Sequence, residues 1–216
     1  MTSAVRRNPF VQNFLRPPAT ALDIVADAVR LLGVISVVVA AVWFTLLDAG
    51  VVAFSLPALM VPRFLALRPG WDIAVELSIL TAAWSNIFGL YESIPGWDLL
   101  VHAVVSGALT LMGLLAFAHL GVLPWPGRSR HPGFSGAVLG GMLALALGAL
   151  WEMVEWAGRT FVTAEIIVSY NDTIGDLAAD GVGGVAAGLL LAGARVTRPE
   201  TALRPPAHAE GRSSRR

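Results

Sequence analysis

Seven ionisable side chains in three stretches of the sequence have the type and spacing to do chemistry. Asp98 and His102 are four residues apart, Glu152 and Glu155 three apart, and Asp172, Asp176 and Asp180 recur every four. Spacings of three and four put side chains on one face of a helix. Hard carboxylate oxygens with one imidazole suit a divalent ion such as Mn, Mg, Ca, Zn or Fe. The chain has no cysteine, so nothing favours a soft ion and no disulfide or Fe–S cluster is available. Asp98, His102, Glu152, Asp176 and Asp180 are the candidate metal ligands, with the identity of the ion left open. Glu155 and Asp172 are the candidate catalytic groups, as acceptors that orient ligands or as a base for bound water.

The elements that position these residues follow from composition. Of 216 residues, 56% are hydrophobic and 14% charged, and the mean hydropathy is +0.68. An ordinary soluble domain carries about 25% charged residues, so the expectation is an all-α, polytopic membrane protein. The 15 basic residues, all arginine, cancel 15 acids, which argues against nucleic acid as a partner. A helix needs about 20 apolar residues to cross the hydrocarbon. Apolar runs at 24–47, 51–67, 73–91, 99–123, 134–156 and 172–195 therefore predict a bundle of about six transmembrane helices. The second run contains Pro57, Pro62 and Arg63 and is expected to be short, kinked or interfacial. Residues 1–23 read as a cytoplasmic segment, 24–195 as the transmembrane domain and 196–216 as a disordered, arginine-rich cytoplasmic tail.

Six crossings place both termini on one side, and the arginines agree. Fourteen of the 15 fall on that face, leaving Arg159 opposite. The positive-inside bias then predicts cytoplasmic termini in a bacterial inner membrane. The start of the fourth span, the end of the fifth and the start of the sixth share the outer level, so all seven candidates converge in depth. Several acids at one depth beside one arginine cannot all stay ionised without a counter-charge. A bound cation, shared protons or water would compensate.

Bland roles compete with this. Asp98 and Asp172 could be helix N-caps, and Trp97, Trp151 and Trp156 an aromatic belt. Glu76 is expected to snorkel or to pair with Arg68, and His119 to pack. Gly136 with Gly140, and Gly184 with Gly188, are small-residue pairs that let the last two spans pack closely.

Three blocks of sequence resemble the YjdF-type family of bacterial inner-membrane proteins. They are Tyr91 to His102 with Gly107, Trp151-Glu152-Met-Val-Glu155-Trp156, and Tyr170-Asn-Asp172-Thr173-Ile-Gly-Asp176 with Gly184. The likeness extends more distantly to VanZ-like proteins, which are associated with glycopeptide (teicoplanin) resistance. It covers roughly residues 64–188 and implies motif roles for Asp98, His102, Glu152, Glu155, Asp172 and Asp176. Leu99 stands where related proteins often have a lysine.

Three functions fit. A metal-assisted enzyme would act on a lipid-linked or envelope precursor at the outer leaflet, with membrane lipids as surroundings. A carrier would use the acids to relay protons or cations. A non-catalytic assembly factor would hold a structural metal.

Overall fold

The computed structural model describes residues 8–125, 127–164, 166 and 168–199. Eight helices follow one another among the described residues: α1 (Pro9–Phe14), α2 (Ala21–Trp43), α3 (Leu46–Phe64), α4 (Pro69–Ile87), α5 (Leu90–Ser93), α6 (Trp97–His119), α7 (Pro132–Phe161) and α8 (Tyr170–Gly193). The described residues contain no strand, only an isolated antiparallel bridge between Leu67 and Thr197. The chain is thus the all-α membrane bundle that its hydropathy predicts.

Local sequence explains where the helices begin. Thr20 with Asp23, and Thr45 with Asp48, form reciprocal capping boxes at α2 and α3. Ser169 caps α8 by accepting from the Asp172 N–H, and Gly96 precedes α6 with φ +74, a conformation that favours glycine. Asp98 and Asp172 therefore sit inside the first turn of their helices and cap neither.

The bundle divides into two groups, α2–α4 and α6–α8, with α4 against α6 joining them. Between the groups, Leu59, Val75 and Ile79 share a core with Leu111, Leu115 and Leu191. Within α6–α8 the backbones approach so closely that a Cβ on Gly184 would overlap the Gly140 carbonyl, and one on Gly188 that of Gly136. Large apolar side chains face outward instead, among them Leu31, Ile35 and Val38 on α2 and Phe134, Met142 and Met153 on α7. That pattern suits lipid as the surrounding solvent.

Among the described residues, five helices are long and apolar enough to cross a membrane: α2, α3, α6, α7 and α8. The 19-residue α4 equals α3 in length but carries Asp72 and Glu76 in its first two turns. Arg198, just beyond α8, bonds Asp23 in the first turn of α2. The two ends of the bundle domain thus emerge on one face.

The second span is a 19-residue helix, Leu46–Phe64, that continues through Pro57 and Pro62. Two expectations are corrected. The third span stops at Ile87, because Gly89 at φ +61 breaks it before Tyr91. Residues 196–198, at the start of the expected tail, fold back on 66–68: Arg68 donates its backbone N–H to Val196 (2.9 Å) and Arg198 donates to Ala66 (3.0 Å). Residues 200–216 lie outside the described residues.

Candidate functional site

The first two turns of α6 and the first three of α8 meet at the end of the bundle opposite the termini. His102 is the centre of this contact. Its Nδ1 lies 3.2 Å from Asp180 Oδ1, and its Nε2 lies 3.7 Å from Asp98 Oδ1 and 4.0 Å from Asp176 Oδ1. Only the first distance is a hydrogen bond. Asp180 therefore fixes the ring through Nδ1, and Nε2 faces two carboxylate oxygens that it does not bond.

The three groups Asp98, His102 and Asp176 each offer a ligand atom, all within 4.8 Å of one another. Burial deepens along the row. Asp98 is 36% exposed at its side chain, His102 11%, Asp176 3% and Asp180 1%. Asp176 Oδ1 is buried with no hydrogen-bond partner. Such an oxygen in a dry interior is costly unless something meets it.

Two residues that the spacing argument passed over complete the site. Ser106, one turn beyond His102, donates its hydroxyl to Asp180 Oδ1. Gly148 on α7 makes room for the same carboxylate, since a Cβ there would overlap Asp180 Oδ2. The signal for Ser106 was present in the i+4 spacing from His102; the signal for Gly148 was not, because it depends on how α7 crosses α8.

On α7, Glu152 Oε2 accepts from the Thr173 hydroxyl at 2.6 Å, while its Oε1 is buried without a partner. Glu152 falls outside the tight group of three ligand atoms. Glu155 is half-buried and acts electrostatically on the neighbourhood together with Glu152, His102 and Asp176. Asp172, also half-buried, lies within electrostatic range of Asp98 and Asp176 but makes no side-chain bond to them among the described contacts. Tyr91 on the short α5 donates to the Ala82 carbonyl at 3.0 Å. Burial, then the charges of Asp98, Glu155 and Glu92, push its phenol above the usual range.

The six acids and the histidine thus gather from three helices, but in two shells. Asp98, His102 and Asp176 are close, with Asp180 behind the imidazole; Glu152, Glu155 and Asp172 surround them. No arginine forms an ion pair with any of these acids among the described residues. Arg159, in the last turn of α7, donates instead to the carbonyls of Ala164 and Ile166.

A second ionic cluster at the opposite end corrects the reading of Glu76. It pairs with Arg30 (2.6 Å), fully buried, whereas Arg68 donates to the Thr197 carbonyl. His119 packs between Phe10 and Trp125, as expected of a packing histidine.

The profile of a family described as "Predicted membrane protein (DUF2238)" matches residues 21–197, from the first residue of α2 to the bridge after α8. This is the YjdF family; the match does not reach VanZ-like proteins. No curated protein and no solved structure matches the chain.

Proposed function

This chain belongs to the DUF2238 family of predicted membrane proteins, and from that premise we propose that it is a membrane-embedded metalloprotein with its site at the end of the bundle opposite the termini. Asp98, His102 and Asp176 would hold a divalent ion. The observation that carries this reading is the set of three ligand atoms within 4.8 Å of one another, one of them the partnerless Asp176 Oδ1. Two carboxylates and an imidazole suit Zn, Mn or Fe(II).

Asp180, a ligand by spacing, is better used as the group that orients the ring, since a metal-binding histidine usually gives its other nitrogen to a carboxylate. Ser106 holds Asp180 in turn. Glu152, anchored by Thr173 with one oxygen free, and Glu155 beside it are the proton acceptors of the site, with Asp172 as an outer electrostatic contributor. A bound divalent ion would polarise a substrate oxygen or lower the pKa of a bound water.

The arginine distribution supports cytoplasmic termini, which would set the site at the outer leaflet of a bacterial inner membrane. Its substrate class would be a lipid-linked or envelope precursor, delivered through the partly exposed Asp98 edge. Reporter fusions at Gly127, at Val162 and after Arg198 should then read inside, outside and inside.

A carrier of protons or cations is the second reading. It draws on the row His102, Ser106 and Thr110, four apart on α6, in which the fully buried Thr110 hydroxyl has no partner. Metal analysis of the purified protein separates the two. The metalloprotein reading expects about one divalent ion per chain, lost in His102→Ala and in Asp176→Asn and released on acidification as the ligands protonate. Metal-free wild-type protein that cannot be loaded with Zn, Mn or Fe would leave the carrier in first place.

A further inference from the structure

In the cluster at the termini-bearing end, the three carboxylates Asp27, Asp72 and Glu76 meet two guanidinium groups, Arg30 and Arg63. Arg30, from α2, is shared among three acids. Its Nη1 lies 2.8 Å from Asp27 Oδ1, while its Nη2 serves both Asp72 Oδ1 at 2.7 Å and Glu76 Oε1 at 2.6 Å. Its Nε donates to the Leu59 carbonyl at 3.1 Å, so the whole guanidinium is engaged. A second cation does not come to Glu76. Arg63 on α3 pairs with Asp27 (2.7 Å) and spends its other donors on the carbonyls of Phe14 and Arg16. Arg198 is taken by Asp23 and the Leu67 carbonyl, and Arg68 by Thr197. At Asp72 itself, Arg63 and Arg198 act only through space, as Arg16 does. From α6, the apolar Leu111 and Leu115 pack in the same core as Val75 and Ile79 of α4.

Glu76 is 0% exposed, and apart from the ion pair of its Oε1 with Arg30 neither of its carboxyl oxygens has a hydrogen-bond partner. Because Arg30 Nη2 lies 2.7 Å from Asp72 Oδ1 and 2.6 Å from Glu76 Oε1, one nitrogen brings the two buried carboxyl groups side by side. Two ionised carboxylates are both acceptors and cannot bond each other. A single proton between them turns one into a donor and relieves the repulsion, as in other close carboxyl pairs.

We propose that Asp72 and Glu76 form a proton-binding site on α4, sharing one proton that reaches them from the termini-bearing face by way of Asp27. Asp27 is 35% exposed at its side chain and touches both arginines, so it joins water to the buried pair. With the proton present, one guanidinium faces Asp27 and a singly charged Asp72–Glu76 pair. Without it, three carboxylates compete for Arg30 where α4 packs on α2. The site lies at the opposite end from the acid–imidazole pocket and does not depend on any metal there.

Infrared spectroscopy of the full-length protein in lipid nanodiscs tests this. Wild-type protein at neutral pH should show a carboxylic-acid C=O stretch that disappears in Glu76→Gln and shifts in Asp72→Asn. Because Gln reproduces a protonated Glu in shape and charge, Glu76→Gln should fold and melt within a few degrees of wild type. A Glu76→Gln spectrum that loses a carboxylate band with no loss in the C=O region would overturn the proposal. So would a Glu76→Gln protein that does not fold, since that would mean an ionised Glu76 is required by Arg30.

Discussion

At one end of the bundle, buried carboxylates gather around guanidinium; at the other, they gather around one imidazole with no guanidinium at all. In the α2–α4 group, Asp27, Asp72 and Glu76 contact Arg30, and Arg63 adds a second clamp on Asp27. In the α6–α8 group, Asp98, Asp176 and Asp180 surround His102, whose nearest bond is the 3.2 Å contact to Asp180. Arginine is charged at any accessible pH and fills its partners' lone pairs through a rigid fork. Imidazole can be neutral, leaving nearby oxygens free for a ligand. The first cluster holds three helices together. The second leaves coordination open, and its helices are held by something else: glycine-to-glycine backbone contact between α7 and α8.

The comparison is broken most severely by removing the guanidinium. Arg30→Met would leave Asp72 and Glu76 facing each other in a dry interior, with Arg63 still on the more exposed Asp27. Breaking a buried ion pair on one side costs about 3–5 kcal/mol, so little folded protein should survive extraction in detergent. His102→Ala at the other end should still give a monodisperse protein. Equal yields on size-exclusion chromatography would show that the two clusters do not differ in structural role.

The second expected effect tests what replaces ion pairing in α6–α8. A Cβ at Gly184 would run into both the Gly140 carbonyl and the Ala144 side chain. Gly184→Ala should therefore force α7 away from α8 at about 1–3 kcal/mol, the usual range for overpacking. A melting temperature equal to that of wild type would mean the close crossing is not what holds this group.

These contrasts show what could be read from the sequence. The apolar runs and the spacing of three and four were enough for the helices and for bringing Asp98, His102 and Asp176 to one level. Local periodicity carries that information. Pairing between helices does not show in it. Arg30 meets Asp72 across 42 residues of chain, and Arg68, the nearer candidate for Glu76, is drawn instead to the returning strap at Thr197. Proline inside α3 does not end the helix, which runs from Leu46 to Phe64 with Val52 and Leu59 buried in the bundle.

A third effect separates orientation from ligation. Asp180→Asn keeps the size of the side chain and can still accept from Ser106, but it replaces the charge behind His102. If Asp180 only orients the ring, metal affinity should fall by roughly 10–100-fold, with stability unchanged. Complete loss of binding, as expected for Asp98→Asn combined with Asp176→Asn, would instead make Asp180 a ligand. Isothermal titration of the loaded ion distinguishes these outcomes.

The smallest effect concerns an acid that belongs to neither cluster. Asp48 closes the capping box of α3: its Oδ2 accepts from the Thr45 N–H (3.0 Å) and the Thr45 hydroxyl (2.7 Å), and its own N–H donates back to Thr45 Oγ1 (3.1 Å). It lies half-buried at the same end of the bundle as His102, so the charge pattern alone would group it with the site acids. Its described bonds, however, all go to Thr45 at the helix start, which ties this acid to the cap and not to the His102 pocket. Thr45→Ala should therefore cost about 1 kcal/mol, as for other N-caps, and leave metal content and affinity untouched. A fall in metal binding after this change would mean that the outer acids act as one field rather than as a pocket with defined ligands, and the distinction between capping acid and site acid would fail at the residue where it is easiest to test.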